Sequence, residues 1–385
     1  MASAIDEDEL RQRTKVLIEE QTGAGQVAFL DAQFLAGLAW VQFPVGFGGL
    51  GQAPKAQEVI DAELEAAGRR YPWTRNPMGI GMVGPSIAVH GTDGQRALLR
   101  RVFTAEDLWC QLFSEPGAGS DVATLSTRAE RDGDEWTVDG QKVWTSLGYA
   151  AAYGLLLART DPTVPKHKGL TAFIIDMHSP GVEVRPLKQM HGDAHFSEVY
   201  FNGARIPDAM RVGDVGDGWR VAVTTLMNER VSIGGATVPR GSGPIAAALE
   251  AWRRSERTNL VQRDRLAKLW IEAEVLRLGN LRAQQKREVG TPGPEGSVLK
   301  LGGALLSQRI ASFTIDLLGL DGLLVDYDDV EHFPEASAFL AAQASTIAGG
   351  TSEIMRNILG ERVLGLPSEP RVDKDLPWTD IPKGV

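Results

Sequence analysis

The 385 residues predict an α+β chain, mainly helical. The expected order is an N-terminal helical domain, a middle antiparallel β-barrel or sandwich, and a C-terminal four-helix bundle. Three observations carry this. Apolar residues recur at three- and four-residue spacing up to about residue 108 and again past Gly218. Between them, from about 109 to 213, short β-branched and aromatic runs alternate with turns. The length also exceeds what one hydrophobic core usually holds, so several packed units are expected. The boundaries are placed at 1–108, 109–213 and 214–385.

Within the first block, Asp8–Glu20 carries Leu10, Leu17 and Ile18 among charges, the pattern of a surface helix. Phe34–Trp40 is a second apolar segment, broken by the glycine-rich run from Phe43 to Gly51. Lys55–Arg69 resumes with Val59, Ile60 and Leu64 on one face, and Gln95–Phe103 is a further short helix. Met78–His90 is small, apolar and glycine-rich, and reads as tightly packed core. His90 precedes Gly91 and is expected at a helix end rather than in chemistry.

In the second block, Thr127–Arg131 and Glu135–Val138 flank Asp132-Gly133-Asp134, a hairpin signal. Tyr153–Ala158, Leu170–Ile175, Val182–Pro186 and Glu198–Phe201 are the further strands. Lys166-His167-Lys168-Gly169 reads as a solvated polar loop. In the third block, Trp219, Val223, Leu226, Met227 and Arg230 recur at helical intervals. Asn259–Glu288 is a long charged helix, Thr291–Gly296 a break, and Val298–Leu318 a mostly apolar helix. Short connections between antiparallel neighbours suggest a bundle.

Composition narrows the function classes. A net charge of −10 argues against a broad nucleic-acid surface, though one pocket can still hold local basic charge. The single cysteine, Cys110, excludes an internal disulfide framework and fits a reducing cytoplasm; its apolar context marks a buried thiol. Met1–Glu9 is acidic without an apolar core, unlike a signal peptide, and no apolar run of about 18 residues suggests a membrane span. No metal site is expected.

Chemistry concentrates in three stretches. The run Leu112-Phe113-Ser114-Glu115-Pro116-Gly117-Ala118-Gly119-Ser120-Asp121 ends a strand in a loop of small residues. Such a loop exposes backbone N–H groups and two hydroxyls to a polar or anionic ligand. Trp144-Thr145-Ser146 ends the following hairpin. Near the C-terminus stands Gly349-Gly350-Thr351-Ser352-Glu353-Ile354, followed by Arg356-Asn357-Ile358 and Glu361-Arg362-Val363-Leu364-Gly365.

In these three motifs, their order and their spacing, the chain resembles the acyl-CoA dehydrogenases over nearly its whole length. The resemblance implies the acyl-CoA dehydrogenase fold, bound FAD and desaturation of an acyl-CoA thioester to a 2-enoyl-CoA. It further implies electron transfer to an electron-transferring flavoprotein and a place in lipid catabolism. Phe113, Ser114, Gly119, Trp144 and Ser146 would lie at the flavin. Gly350, Thr351 and Glu353 would lie near the dinucleotide of a neighbouring subunit. Ser120 would serve cofactor and CoA together.

Desaturation needs a base for the α proton, a donor to the thioester oxygen and a hydride acceptor, and only a cofactor supplies the last. Many family members carry the base directly before Gly-Thr, where this chain has Gly349 before Gly350-Thr351. A smaller group carries a glutamate before an arginine on the helix opening the bundle, and this chain has Glu229-Arg230 there. Glu229 is therefore the expected base. Leu226 and Ile233 share its helical face, so the carboxylate is expected to point inward, where burial raises a carboxyl pKa. Arg230, about 100° around the helix, is assigned to the substrate side with Ser120 and Ala348, but mainly as local structure. Gly349 keeps the backbone N–H that would bond the thioester oxygen. With Ala348 it opens room for a branched, long or polycyclic acyl group such as a steroid side chain.

One motif departs from the family. An Arg-x-Phe-Gly segment that contacts the partner subunit's FAD pyrophosphate is missing between Arg240 and Arg265; Trp252-Arg253-Arg254 is the nearest basic cluster. The assembly is thus expected to be a homodimer, a homotetramer, or a heterotetramer with a second dehydrogenase-like subunit. Two rivals stand: a flavin monooxygenase or oxidase of the same superfamily, and a subunit inactive without its partner.

Overall fold

The structure, a computed structural model, describes residues 5–69, 71–234, 238–255, 259–288, 295–326, 329, 332–371 and 373–381, with the side chains of 230–234 and 287–288 excepted. The chain falls into two compact units. One comprises Met1–Pro186, His195–Asn228 and Val372–Val385; the other comprises Leu187–Ala194 and Glu229–Arg371.

The first unit opens with α1 (Glu7–Glu20), α2 (Gln26–Leu35) and α3 (Gln57–Ala66). Asp6 caps α1 by accepting the Glu9 N–H at 2.7 Å, as the acidic start of the helix favours. Leu10, Leu17, Phe29, Ile60 and Leu64 pack these helices together. The second apolar segment is helical earlier than its sequence suggested: α2 ends at Leu35, and Leu38–Trp40 are buried in the turn that follows. The small-residue stretch is a π-turn, Gly79–Val83, running into α4 (Gly84–His90). The short α5 (Asp93–Arg96) and α6 (Leu99–Phe103) follow, split where one helix was expected. His90 closes α4 and bonds Thr224 Oγ1 at 2.8 Å through Nε2.

The strands are β1 (Trp109–Leu112), β2 (Arg128–Asp132), β3 (Glu135–Ser146), β4 (Tyr153–Arg159), β5 (Leu170–Asp176), β6 (Val182–Leu187), β7 (Phe196–Pro207) and β8 (Arg211–Val212). Among the described residues they form one eight-stranded sheet, ordered β6-β7-β3-β2-β4-β5-β8, with β1 on β4. Pairing is antiparallel except that β1, and β2 at one residue pair, run parallel to β4. The intervening β2–β3 hairpin gives the chain enough length to return in the same direction. β4 and β5 read as continuous apolar runs because both faces are buried. Leu155, Leu157 and Ile174 join the core shared with α2, α4 and α6, whereas Leu156, Phe173 and Ile175 join Trp136, Val138 and Phe201 on the other face. Cys110 is fully buried in that second core, and burial pushes its thiol up to about 12.

The helix α7 (Gly218–Gly234) begins in the first unit, and its residues from Glu229 fall in the second. The second unit continues with α8 (Pro244–Arg254), α9 (Leu260–Glu288), α10 (Glu295–Leu318), α11 (Pro334–Ala342) and α12 (Ser352–Arg362). Ile245, Ala248, Leu266, Leu269, Leu306, Ile310 and Phe313 form the core of α8, α9 and α10. The expected break at Thr291–Gly296 is shorter at its end, since Glu295 and Gly296 already belong to α10; residues 291–294 lie outside the described set. No described helix is long and apolar enough to cross a membrane.

Candidate active site

The candidate site residues fall into two sets, one in each unit. In the first unit the glycine loop leaves β1 and closes as a tight turn, with Glu115 and Ala118 exchanging backbone hydrogen bonds of 2.9 and 3.1 Å. The Val143 N–H donates to the Ser114 carbonyl at 2.9 Å, which lays Ser114 beside the end of β3, where Trp144 and Ser146 stand. Ser114 and Ser146 are half-buried, and Gly119 and Ser120 are exposed. A Cβ at Gly117 or Gly119 would meet nothing within 4 Å, so this backbone is open to a ligand. Phe113 packs into the core.

Trp144 is held in an unusual state. Its φ is +60°, it lies where the β3–β7 register shifts between Lys142 and Thr145, and its side chain is 58% exposed. Phe196 meets it edge-on, with ring centroids 5.8 Å apart. A bulge that turns a large aromatic outward against its backbone preference is a recurring sign of a binding surface. The exposed indole, two hydroxyls and open backbone fit the flat, polar ring system of a flavin.

What fixes this loop is a buried ion pair that the sequence reading missed. The Lys142 ammonium is fully buried and donates to Glu115 Oε1 at 2.8 Å and to the Phe113 carbonyl at 3.0 Å. Glu115 also accepts the Ser126 and Thr127 N–H groups at 2.6 and 2.9 Å. Burial lowers the Lys142 pKa to about 8 despite the pull of Glu115. For Glu115, burial raises the pKa, but the attraction of Lys142 and the hydrogen bonds outweigh it, leaving the carboxyl below its ordinary value. One signal was available: the inward parity of Trp136 and Val138 carries on to Lys142.

The expected solvated loop at Lys166 is corrected likewise. Lys166 is buried and bridges Asp121, at the end of the glycine loop, and Asp373, at 2.6 and 2.5 Å. The terminal segment around Asp373 continues into Trp378, whose indole N–H donates to the Thr124 carbonyl at 3.1 Å. Arg159 lies 4.7 Å above the Trp378 ring and donates to the Ala123 and Leu125 carbonyls. A lysine pair reads as surface until two distant aspartates, 45 residues before and 207 after, are brought to it.

In the second unit Glu229 is half-buried on α7. The side chains of Arg230 and Ile233 lie outside the described residues, so the helical face is given by Leu226 and Glu229 alone. The turn before α12 contains Gly349 and Gly350, at φ +65° and +92°, and a Cβ on Gly350 would come within 2.7 Å of Met355 Cε. Glycine is therefore what this turn requires. Thr351 caps α12 by accepting the Ile354 N–H at 3.2 Å, Glu353 is exposed in its first turn, and Ala348 is exposed beside the glycines. Lys300 on α10, also absent from the sequence reading, donates to the Gly350 carbonyl and lies within electrostatic reach of Glu353 and Glu229.

A helical region, a sheet with a glycine loop under an outward tryptophan, and a helical bundle carrying a glutamate and a Gly-Gly-Thr turn make up the acyl-CoA dehydrogenase fold. The structure superposes on the solved Tcur3481-Tcur3483 steroid ACAD with a TM-score of 0.73 at 26% identity, covering 94% of this chain and 97% of that one. Two family profiles match: "Acyl-CoA dehydrogenase, middle domain" over residues 110–204 and "Acyl-CoA dehydrogenase, C-terminal domain" over residues 216–364. The acyl-CoA dehydrogenase IpdE1 of Mycobacterium tuberculosis is 36% identical over 338 residues, 87% of this chain and 86% of IpdE1. The acyl-CoA dehydrogenase FadE34 of the same organism is 41% identical over 348 residues, 89% of this chain. The chain spans only 46% of the length of FadE34. The chain belongs to the acyl-CoA dehydrogenase family, enzymes that oxidise a CH–CH bond with a flavin.

Proposed function

We propose that this chain binds FAD and desaturates an acyl-CoA to the 2-enoyl-CoA, with Glu229 as the base. The observation that carries the reading is the pairing of Glu229 on α7 with a glycine turn at Gly349–Gly350 in the same unit. The turn supplies no carboxylate, and the helix does. When bound, FAD supplies the two-electron acceptor that loss of a β hydride requires. Glu229 takes the α proton. The Gly349 N–H, held by the left-handed turn, bonds the thioester oxygen and stabilises the enolate-like charge. Ser114, Ser146 and Trp144 hold the flavin ring, Gly119 and Ser120 its polar flank and the CoA, and Gly350, Thr351 and Glu353 a neighbouring dinucleotide. Arg230 organises the substrate side. The three domains are drawn at 1–108, 109–213 and 214–385.

The acyl group in this reading is branched, long or polycyclic. Gly349 and Ala348 leave the turn without bulk, and the structural relative is a steroid ACAD. Electrons pass on to an electron-transferring flavoprotein, in lipid catabolism in the cytoplasm. A heteromeric assembly is favoured by the missing Arg-x-Phe-Gly segment, whose nearest replacements are engaged elsewhere: Arg253 with Glu250 and Arg254 with Glu335. That relative, Tcur3481-Tcur3483, also carries the names of two proteins.

The test is the visible spectrum of the purified protein, titrated without oxygen against short, branched, long and steroid-side-chain acyl-CoAs. One class should bleach the flavin, and Glu229→Gln should abolish bleaching while leaving flavin bound. Bleaching that survives Glu229→Gln removes the base assignment. Bound flavin that reacts with oxygen and is bleached by no thioester favours the monooxygenase or oxidase reading.

A further inference from the structure

The glycine loop is held at both ends by a buried ammonium. At its start Lys142 bonds Glu115 at 2.8 Å, and at its end Lys166 bonds Asp121 at 2.6 Å. Gly117, Gly119 and Ser120 lie exposed between these two points. The two lysines differ in what holds them. Lys166 has its second carboxylate, Asp373, at 2.5 Å, in the segment after α12 that belongs to the first unit. That segment runs antiparallel to the loop between β4 and β5. The Trp378 N–H donates to the Val164 carbonyl at 3.0 Å, and the Thr379 N–H to the Pro162 carbonyl at 3.2 Å. The Trp378 indole N–H donates to the Thr124 carbonyl, and the Thr124 N–H in turn donates to the Asp121 carbonyl at 3.0 Å. The segment therefore reaches Asp121 by two routes, through Lys166 to its carboxylate and through Thr124 to its backbone.

We propose that Lys166 is a positioning residue for CoA: clamped by Asp373, it fixes Asp121 and so holds Gly119 and Ser120 in the shape that receives the ligand. The inference rests on this loop being the flavin and CoA loop of the proposed function. Asp121 alone could not keep the ammonium in place. Its side chain is 52% exposed, and a lysine with one exposed partner extends its head into water. Asp373 supplies the second acceptor that keeps the charge inside, beside the loop's end. The ammonium is thus occupied by two carboxylates rather than offered to the phosphates of CoA. A loop already in its bound shape needs less ordering when the ligand arrives. Released at one end, it is competent only part of the time, and the apparent affinity falls by that fraction.

The experiment is a calorimetric titration of the flavin-loaded protein with CoA, well below the melting temperature of every variant, together with hydrogen exchange over residues 117–121. With one partner exposed, Lys166→Met should raise the CoA Kd about three- to fivefold and speed exchange in that stretch. Lys166→Arg, which can still bond both carboxylates, should return most of the loss. Asp373→Asn separates a clamp from a simple charge effect. It removes a negative charge, which would tighten binding of anionic CoA if the field alone mattered; the clamp requires that it weaken binding, as Lys166→Met does. CoA bound by Asp373→Asn as tightly as by the wild type, or more tightly, overturns the proposal. So does a Lys166→Met protein that melts lower yet binds CoA unchanged, since that is a structural role only. If Lys166→Met does not fold, Asp373→Asn decides alone. A flavin-loaded wild type that binds no CoA removes the ligand role of the loop and both readings with it, whereas wild-type binding that neither substitution weakens removes only this one.

Discussion

Lys142→Met should loosen the glycine loop, and the structure sets the size of the effect. The substitution keeps the length of the stem but removes the ammonium bonded to Glu115, which is 8% exposed. Breaking a buried pair by deleting one partner costs about 3–5 kcal/mol. Glu115 retains the Ser126 and Thr127 N–H groups, so the low end, about 3 kcal/mol, applies. The Phe113 carbonyl loses its donor as well, adding about 1 kcal/mol. For a unit of this size the sum of about 4 kcal/mol corresponds to a fall of roughly 8–16 °C in Tm. The assay is thermal melting together with hydrogen exchange over residues 113–127, because a chain of two units need not unfold in one step. The double variant Glu115→Gln/Lys142→Met should melt closer to the wild type than the two single losses add up to, since it leaves no buried charge unpaired. A Lys142→Met protein that melts within about 1 °C of the wild type, a change of well under 1 kcal/mol, with unchanged exchange in the loop, refutes the reasoning.

Asp208 gives a pH prediction. Its hydrogen bonds from Arg211 and then from the Trp136 indole hold it at about 2, below its ordinary 3.8. A depressed folded-state value means stability that is fully present above about pH 4 and is lost as pH falls through 2. The Tm advantage of the wild type over Asp208→Asn should therefore shrink between pH 4 and pH 2, and a constant gap would contradict this. Trp378→Ala removes a hydrogen bond to Thr124 and the ring beneath Arg159, worth together about 2 kcal/mol. It should raise exchange at residues 121–127 while leaving α9 and α10 as protected as before; equal loss in both units would show a global effect instead.

The buried lysines mark where the sequence stopped being legible. Strand β3 runs from Glu135 to Ser146, whereas the local pattern marks only Glu135–Val138 and the hairpin's end at Trp144–Ser146, because Asp139, Gly140, Gln141 and Lys142 carry no apolar alternation. Lys142 is nevertheless the most buried charged residue of the loop's support, and its partner Glu115 comes from 27 residues earlier. Strand β7 was likewise seen at Glu198–Phe201 and runs from Phe196 to Pro207, with Gly203 at φ +67° and Asn202 interrupting the apolar pattern. Periodicity reports which side chains avoid water one by one; it does not report a charge whose counter-charge arrives from another element.

The sequence by itself determined the order of helices, strands and helices, the hairpin at Asp132-Gly133-Asp134, the buried thiol and the family. These follow from local spacing and from motifs whose residues are neighbours along the chain. Glycine at 349 and 350 was legible too, and the left-handed turn gives its reason. Only the tertiary structure decided that β1 lies parallel to β4, that Trp144 is turned outward by a bulge, and that Lys142 and Lys166 hold the glycine loop and Lys300 the Gly350 carbonyl. The physical reason is one of distance. A buried charge is tolerated only beside its partner, and for Lys142 and Lys166 that partner is supplied by a segment at least 27 residues away, beyond the reach of any local pattern.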